Sequence, residues 1–465
     1  MKVIVEDLGI LRHAEFDVGD LTIICGANNT GKTYATYALY GFLDFWNEAF
    51  NYSYINENVF HELMIRGSIK LELDDVSKTA SKMINISCEE YSRNLSMVLG
   101  ANEKYSAKSC FRISIDSINL VNINKEVQSK SPKGKRLCDI SKKSGESFVT
   151  IKIIANAEEL DGVSKEWFLH QINRDIQDVL FGSIFPAPFI ASIERTGAAT
   201  FQKELDITRN RLLEHVSNRE KSILPFDLIN TYYDGRYALP VRRDVDFIRD
   251  LDNVVKYKSE IVQKNPDILR TFDLLSGGEY KPTREGIIYM PDKSKKKLTM
   301  VESASSVRSL LNIGMYISHI ARSGDYFMID EPELNLHPIN QRLMARLLAK
   351  LVNAGIRVFI TTHSDYILKE FNTLIMLKSK GTAARRIMEK YGYSEDELLD
   401  VSDIKAYRAR QERIHVEGRK SKKLCNVIIP AVVDEQGIEI DELDDTIIKM
   451  NEMQDEIIFS EAKYD

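Results

Sequence analysis

Residues Gly26-Ala27-Asn28-Asn29-Thr30-Gly31-Lys32-Thr33 match the pattern G-x-x-x-x-G-K-[ST] at every fixed position. That pattern works only between a strand and a helix, so it dictates local architecture as well as chemistry. Both neighbours are legible. Leu21 to Cys25 is a short buried-strand run, and Tyr34-Ala35-Thr36-Tyr37-Ala38-Leu39 has helical composition. Gly26 and Gly31 permit backbone angles that turn successive N–H groups inward around phosphate oxygens. The helix beginning near Lys32 adds the positive end of its dipole. Lys32 is predicted to neutralise the β- and γ-phosphates, and the Thr33 hydroxyl to hold magnesium. The nucleotide-binding set is therefore Gly26, Asn28, Asn29, Thr30, Gly31, Lys32, Thr33 and Tyr34.

A chain of 465 residues can bury two or three cores. Its net charge of −6 argues against general coating of nucleic acid, while leaving room for a local basic groove. The five cysteines form no C-x-x-C pair, which suits reduced thiols and offers no zinc site. The first residues, Met1-Lys2-Val3-Ile4-Val5-Glu6-Asp7, lack a signal peptide, and no apolar run approaches a membrane span. A cytoplasmic protein without a membrane partner is expected.

A second chemical centre lies far along the chain, in GDYFMIDEPELNLHP from Gly324 to Pro338. Tyr326 to Ile329 reads as an apolar strand with Asp330 and Glu331 at its carboxyl end, where ligands of open α/β sheets bind. Asp330 is predicted to join Thr33 in the magnesium shell, and Glu331 to orient and deprotonate the attacking water. Val358 to Thr362 forms another apolar strand, ending at His363. At that position His363 reads as a γ-phosphate sensor. The catalytic set is Lys32, Glu331 and His363.

These three motifs together resemble the ABC-type ATPase head shared by transporters, RecF, SMC and OLD-type proteins, including AAA15/AAA21-type ATPases. The resemblance implies an α/β fold: a mixed sheet with flanking helices and an antiparallel β layer. It also implies ATP and Mg²⁺ as ligands, and a homo-oligomer built from dimers that sandwich ATP. Such heads place a signature loop from one copy against the nucleotide of the other, at the start of a helix running into the Asp-Glu strand. Leu275-Ser276-Gly277-Gly278-Glu279 mimics that loop, yet Ser276 precedes Asp330 by 54 residues, with Pro282 and Pro291 between them. A helix of about five turns fixes a gap in the low twenties. Ser305, 25 residues before Asp330, fits better. Ser303, Ser305 and Ser306 are therefore the expected signature residues, with a simple helix N-cap as the alternative. The Leu-Ser-Gly-Gly-Glu stretch is expected to turn into a β-hairpin.

The serine-rich ASSV and the DEPELNLHP stretch resemble OLD-like and defence-associated ATPases more than transporter subunits. Glu333, Asn335 and His337 fall in that family's subunit-facing segment. No Toprim, HNH or zinc-ligand constellation follows residue 380, so a separate effector nuclease is expected. The resemblance is to AriA-type ATPases of PARIS anti-phage systems first and PtuA-type ATPases of Septu systems second. It implies a sensor or scaffold subunit that sequesters, then releases or activates, a Toprim or HNH nuclease upon a phage-encoded trigger. The alternative is a RecF/SMC-like DNA-binding repair ATPase.

The expected division is 1–195, an N-terminal ATPase lobe; 196–275, a compact helical arm; 276–382, a C-terminal ATPase lobe; and 383–465, an appendage for assembly or docking. The Lys-rich run from Ile123 to Lys143 reads as an exposed loop, and Leu374 to Ser379 as a last core strand. Arg195, after an apolar strand, reads either as a phosphate or partner contact or as a buried ion pair. In the tail, Leu443, Ile447, Met450 and Ile457 make an amphipathic stripe that packs on its own head or docks a partner.

Overall fold

In a computed structural model the described residues are 1–50, 52–115, 118, 120–131, 134–156, 163–201, 237–283, 286–415, 422–439 and 449–458. The organising element is a nine-stranded mixed sheet. Its order is Cys110–Ser114, Lys2–Leu8, Leu11–Asp17, Lys423–Pro430, Ile404–Ile414, Leu21–Cys25, Arg357–Thr362, Tyr326–Asp330 and Pro188–Ala191. The last five in that order run parallel, while the N-terminal hairpin and the Ile404–Ile414/Lys423–Pro430 pair are antiparallel. This is the expected α/β head with its antiparallel layer.

Parallel strands are covered by helices on both faces and so read as unbroken apolar runs. Leu21–Cys25 and Tyr326–Asp330 are buried at every residue. Successive side chains of a strand face opposite ways. Ile24 accordingly joins one core, with Ala35, Ala38 and Phe42 of the Lys32–Ala49 helix. Ile23 and Cys25 join the other, with Leu310, Met344 and Ile367. Phe42 packs its ring against Tyr91, Phe111 and Phe185 at centroid distances of 5.2 to 5.5 Å.

Four expectations change. Leu374 to Ser379 is not a strand but part of the Asp365–Lys380 helix. Its buried positions Ile367, Leu368, Phe371, Leu374 and Ile375 recur at helical spacing, and Ser364 caps it by accepting from the Ile367 N–H. The Lys-rich run forms a strand pair, Lys125–Lys130 with Arg136–Lys142, inside a separate four-stranded antiparallel sheet. Lys142 is buried there because its ammonium donates to the carbonyls of Val121, Lys143 and Glu146. The region after residue 383 is no mere appendage, since Ile404–Ile414 and Lys423–Pro430 lie in the middle of the main sheet. In Ile404–Ile414 the alternation of Arg408, Arg410 and Arg413 with other residues hides this from a charge-based reading. Finally, the described part of the supposed arm packs into the head: Ile268, Phe272 and Leu275 belong to a main core, and Ile248 and Leu251 pack with Leu311 and Met315. Residues 202–236 of that segment lie outside the described residues, as do Leu443 and Ile447 of the tail stripe. Met450 and Ile457 are exposed. Among the described residues no helix is long and apolar enough to cross a membrane.

Candidate functional site

The Leu21–Cys25 strand ends at Gly26, whose φ of +145° and close approach to the Ala409 carbonyl leave no room for a side chain. Asn29 and Gly31 also adopt positive φ, at 61° and 101°, and Thr30 Oγ donates to the Ala27 carbonyl at 2.8 Å. Gly31 then opens the 18-residue Lys32–Ala49 helix without any side-chain cap and with no acidic residue in its first turn. An uncapped helix start after a run of positive-φ residues is what an anion needs. Lys32 is 5% exposed and closes over the loop, its ammonium donating to the Gly26 and Ala27 carbonyls at 2.8 and 2.9 Å. Burial lowers its pKa, against the pull of Glu331, Asp330 and Glu333. Tyr34 lines the back of the turn, its ring against Gly9.

The second half arrives on adjacent parallel strands, because Tyr326–Asp330 pairs with Arg357–Thr362, which pairs with Leu21–Cys25. Thr33 Oγ donates to Asp330 Oδ2 at 3.0 Å, and Thr361 Oγ bonds to Asp330 Oδ1. Burial pushes the Asp330 carboxyl up, and those two hydroxyls oppose it. A hydroxyl beside a carboxylate is a hard oxygen pair suited to magnesium together with phosphate oxygens and water. Thr33 and Asp330 thus fit that ion.

Glu331 follows with φ +52°, a left-handed conformation that is strained for a non-glycine residue. Its N–H donates to the Thr361 carbonyl at 3.1 Å. Its Oε1 lies 3.4 Å from Nδ1 of His363, whose ring is 42% exposed. That contact holds the Glu331 carboxyl below its ordinary range and raises the imidazole. Glu333 approaches the same Nδ1 still closer, at 3.2 Å, and accepts from the His363 N–H and the Thr362 hydroxyl at 2.8 Å each. His363 is therefore held between two carboxylates. Glu333 is buried, which raises its pKa, and its other oxygen has no hydrogen-bond partner among the described residues. Lys32, Thr33, Asp330, Glu331 and His363 converge here from three strands.

Among the described residues no hydrogen bond joins Ser303, Ser305 or Ser306 to that cluster. Ser303 donates its hydroxyl to the Thr299 carbonyl at 2.7 Å, and the Ser305–His319 helix is capped by Ala304 without a side-chain bond. The N-cap alternative for these serines therefore does not hold. Ser305 is exposed and Ser306 half-buried. Ser276 ends the Pro266–Ser276 helix, followed by Gly277 at φ +66° and the hairpin Gly278–Thr283/Gly286–Pro291, as the sequence implied.

Among the described residues Arg195 contacts no side-chain carboxylate. It is 1% exposed and donates there to main-chain carbonyls: Ser192 at 2.7 Å, Ser309 at 3.0 Å, Asp330 at 2.8 Å and Glu331 at 2.7 Å. Sequence reasoning passed over Thr361, the role of Glu333 toward His363, and Asp244. The signal for Asp244 was available: Pro240, Asp244 and Ile248 recur every fourth position on the Leu239–Arg249 helix and are all buried, so a carboxylate stands on an apolar stripe.

A family profile described as AAA ATPase domain matches residues 1–182 and 191–368. No curated protein matches the sequence. Among solved structures, the Smc head bound to the C-winged helix domain of ScpA is 12% identical at a TM-score of 0.31, over 91% of this chain and 97% of its own. The Pyrococcus furiosus Smc head with an extended coiled coil, bound to the C-terminal domain of ScpA, is 12% identical at 0.30, over 97% and 98%. The SMC head from Thermotoga maritima is 13% identical at 0.29, over 93% and 98%.

Proposed function

We propose the following for a chain that belongs to the AAA ATPase domain family, and so binds and hydrolyses ATP. Backbone N–H groups from Gly26 to Tyr34 wrap the phosphates, and Lys32 leaves its own loop carbonyls to neutralise them. Thr33 and Asp330 hold magnesium, which supplies further neutralisation of phosphate charge. Glu331 takes a proton from the attacking water, and His363, steadied by Glu331 and Glu333, reads the γ-phosphate. Two copies close on the nucleotide, with Ser303, Ser305 and Ser306 of one facing Lys32 of the other. The observation that carries this reading is the 3.0 Å contact of Thr33 with Asp330 beside Glu331 and His363, which unites residues almost 300 positions apart.

The nucleotide state then sets the geometry of a homo-oligomer that acts as the sensor or scaffold of an anti-phage complex. It holds a separate effector, a Toprim nuclease before an HNH one, and lets it go on a phage-encoded trigger. The resemblance of ASSV and DEPELNLHP to defence-associated ATPases supports that role.

Glu331→Gln should keep ATP affinity, lower kcat by about 10²- to 10⁴-fold and trap an ATP-dependent dimer visible by light scattering. Lys32→Ala should abolish binding itself. Normal hydrolysis by the Gln variant would remove Glu331 as the base. Co-purification under ATP from infected and uninfected cells tests the defence role: a nuclease should travel with the protein, whereas turnover stimulated by duplex ends with steep salt dependence would favour a DNA-repair ATPase.

A further inference from the structure

Asp244 is fully buried on the Leu239–Arg249 helix, outside the strands that carry the nucleotide site. Its Oδ2 accepts from the Ser192 N–H at 2.9 Å, and its Oδ1 accepts from Asn312 Nδ2 at 2.7 Å. Neither contact balances a charge. The charge that needs balancing is Arg195, equally buried, whose four partners are all neutral carbonyls. A guanidinium sealed from water is costly unless a carboxylate lies nearby. Asp244 and Arg195 meet on Ser192, whose N–H donates to Asp244 Oδ2 at 2.9 Å while its carbonyl accepts from Arg195 Nη1 at 2.7 Å, and burial raises the Asp244 carboxyl to about 6.

What Arg195 holds matters for chemistry. Its two terminal nitrogens bond the carbonyls of Asp330 and Glu331, the residues that carry the metal-ligand and base roles. Glu331 sits at a strained φ, and strain of that kind, on the order of 1–3 kcal/mol, persists only where the surroundings over-determine it. Arg195 fixes the carbonyl side of this residue and Thr361 the N–H side. The neighbouring Arg243 donates to Asp44 of the Lys32–Ala49 helix at 2.7 and 3.2 Å. Of two consecutive residues on one helix, Arg243 thus reaches the phosphate-binding helix and Asp244 reaches Ser192, the residue whose carbonyl Arg195 also holds.

We propose that Arg195 and Asp244 are positioning residues for hydrolysis: Asp244 holds Arg195 in place, and Arg195 holds the Asp330–Glu331 main chain so that the Glu331 carboxylate meets water. The inference rests on Glu331 acting as the base. It makes the Leu239–Arg249 helix a handle on the rate of turnover.

The test uses the full-length chain with Asp244→Asn, which keeps size and removes charge, and Arg195→Lys, which keeps charge and removes the fork. Misplacement of a reacting group by about 1 Å costs on the order of 100-fold, so kcat should fall about tenfold or more while KM for ATP and affinity for a fluorescent ATP analogue change less than about twofold. Combined with Glu331→Gln, either variant should add no further loss, because the group it positions is gone. Near-normal kcat in both variants alongside an inactive Glu331→Gln would overturn the inference and leave the base assignment standing. So would equal losses in kcat and ATP affinity, or additive losses in the double variants. An active Glu331→Gln would instead overturn the base assignment. Thermal unfolding of each variant separates these effects from loss of fold, with Arg195→Lys deciding if Asp244→Asn fails to fold.

Discussion

A Cβ added at Gly26 would sit 2.2 Å from the Ala409 carbonyl oxygen, at a φ of +145°. Neither the phosphate loop nor the neighbouring strand can yield without moving main chain. Gly26→Ala should therefore lose nucleotide binding in titration calorimetry and unfold at lower temperature; ordinary affinity would mean that the Ala409 main chain can move aside. The pair Glu331–His363 makes a different residue-scale prediction. His363 titrates higher in the folded chain, so its contribution is full below the ordinary 6.5 and fades as pH rises through the raised folded value. Glu331 titrates lower, so its contribution is present above the ordinary 4.5 and is lost as pH falls through the depressed folded value. Their mutual stabilisation is greatest between those limits. In urea unfolding from about pH 5 to about pH 9, the deficit of His363→Ala relative to the native chain should shrink toward the alkaline end. A constant deficit would show that packing, not charge, is what the histidine supplies.

At the scale of single elements, the two serine segments separate. Ser276 Oγ donates to the Gly278 carbonyl at 2.6 Å and serves only the turn between a helix and a hairpin. Ser276→Ala should cost about 1 kcal/mol of stability and leave ATP turnover intact. Ser306→Arg, at the start of a helix that buries Val307, Leu310 and Leu311, should abolish turnover in a steady-state assay while a lone head still binds nucleotide. These elements also show what can be read from sequence. The phosphate loop, the Asp330–Glu331 strand and the His363 strand were legible because each combines a short apolar run with a functional residue at its carboxyl end. Leu374 to Ser379 was misread because an apolar run of that length fits a strand or a buried helix equally, and only the register with Ile367 and Phe371 decides. Arg195 stayed ambiguous because its partners are carbonyls, which every residue has. Asp244 could have been found, since a carboxylate in line with Pro240 and Ile248 breaks an apolar stripe.

Across the whole molecule, the sheet order departs most from chain order. Ile404–Ile414 lies parallel to Leu21–Cys25 and hydrogen-bonds it from Leu21 to Cys25, while Lys423–Pro430 joins Leu11–Asp17. Such non-local pairing has no signature in local propensity, which is why a division at residue 383 looked reasonable from charge and composition alone. A chain ended after residue 382 should fail to fold rather than yield a trimmed ATPase, leaving the phosphate-loop strand without one neighbour. Circular dichroism and size-exclusion chromatography would check this, and a compact, ATP-binding product would refute it.

The same arrangement has a consequence during synthesis. A ribosome delivers the glycine-lysine loop long before the Ile404–Ile414 strand that pairs with its own strand, so a growing polypeptide carries its phosphate cradle half-walled until that strand emerges. Products interrupted before it would then be poor ATP binders, and competence would switch on only once residue 414 has been added.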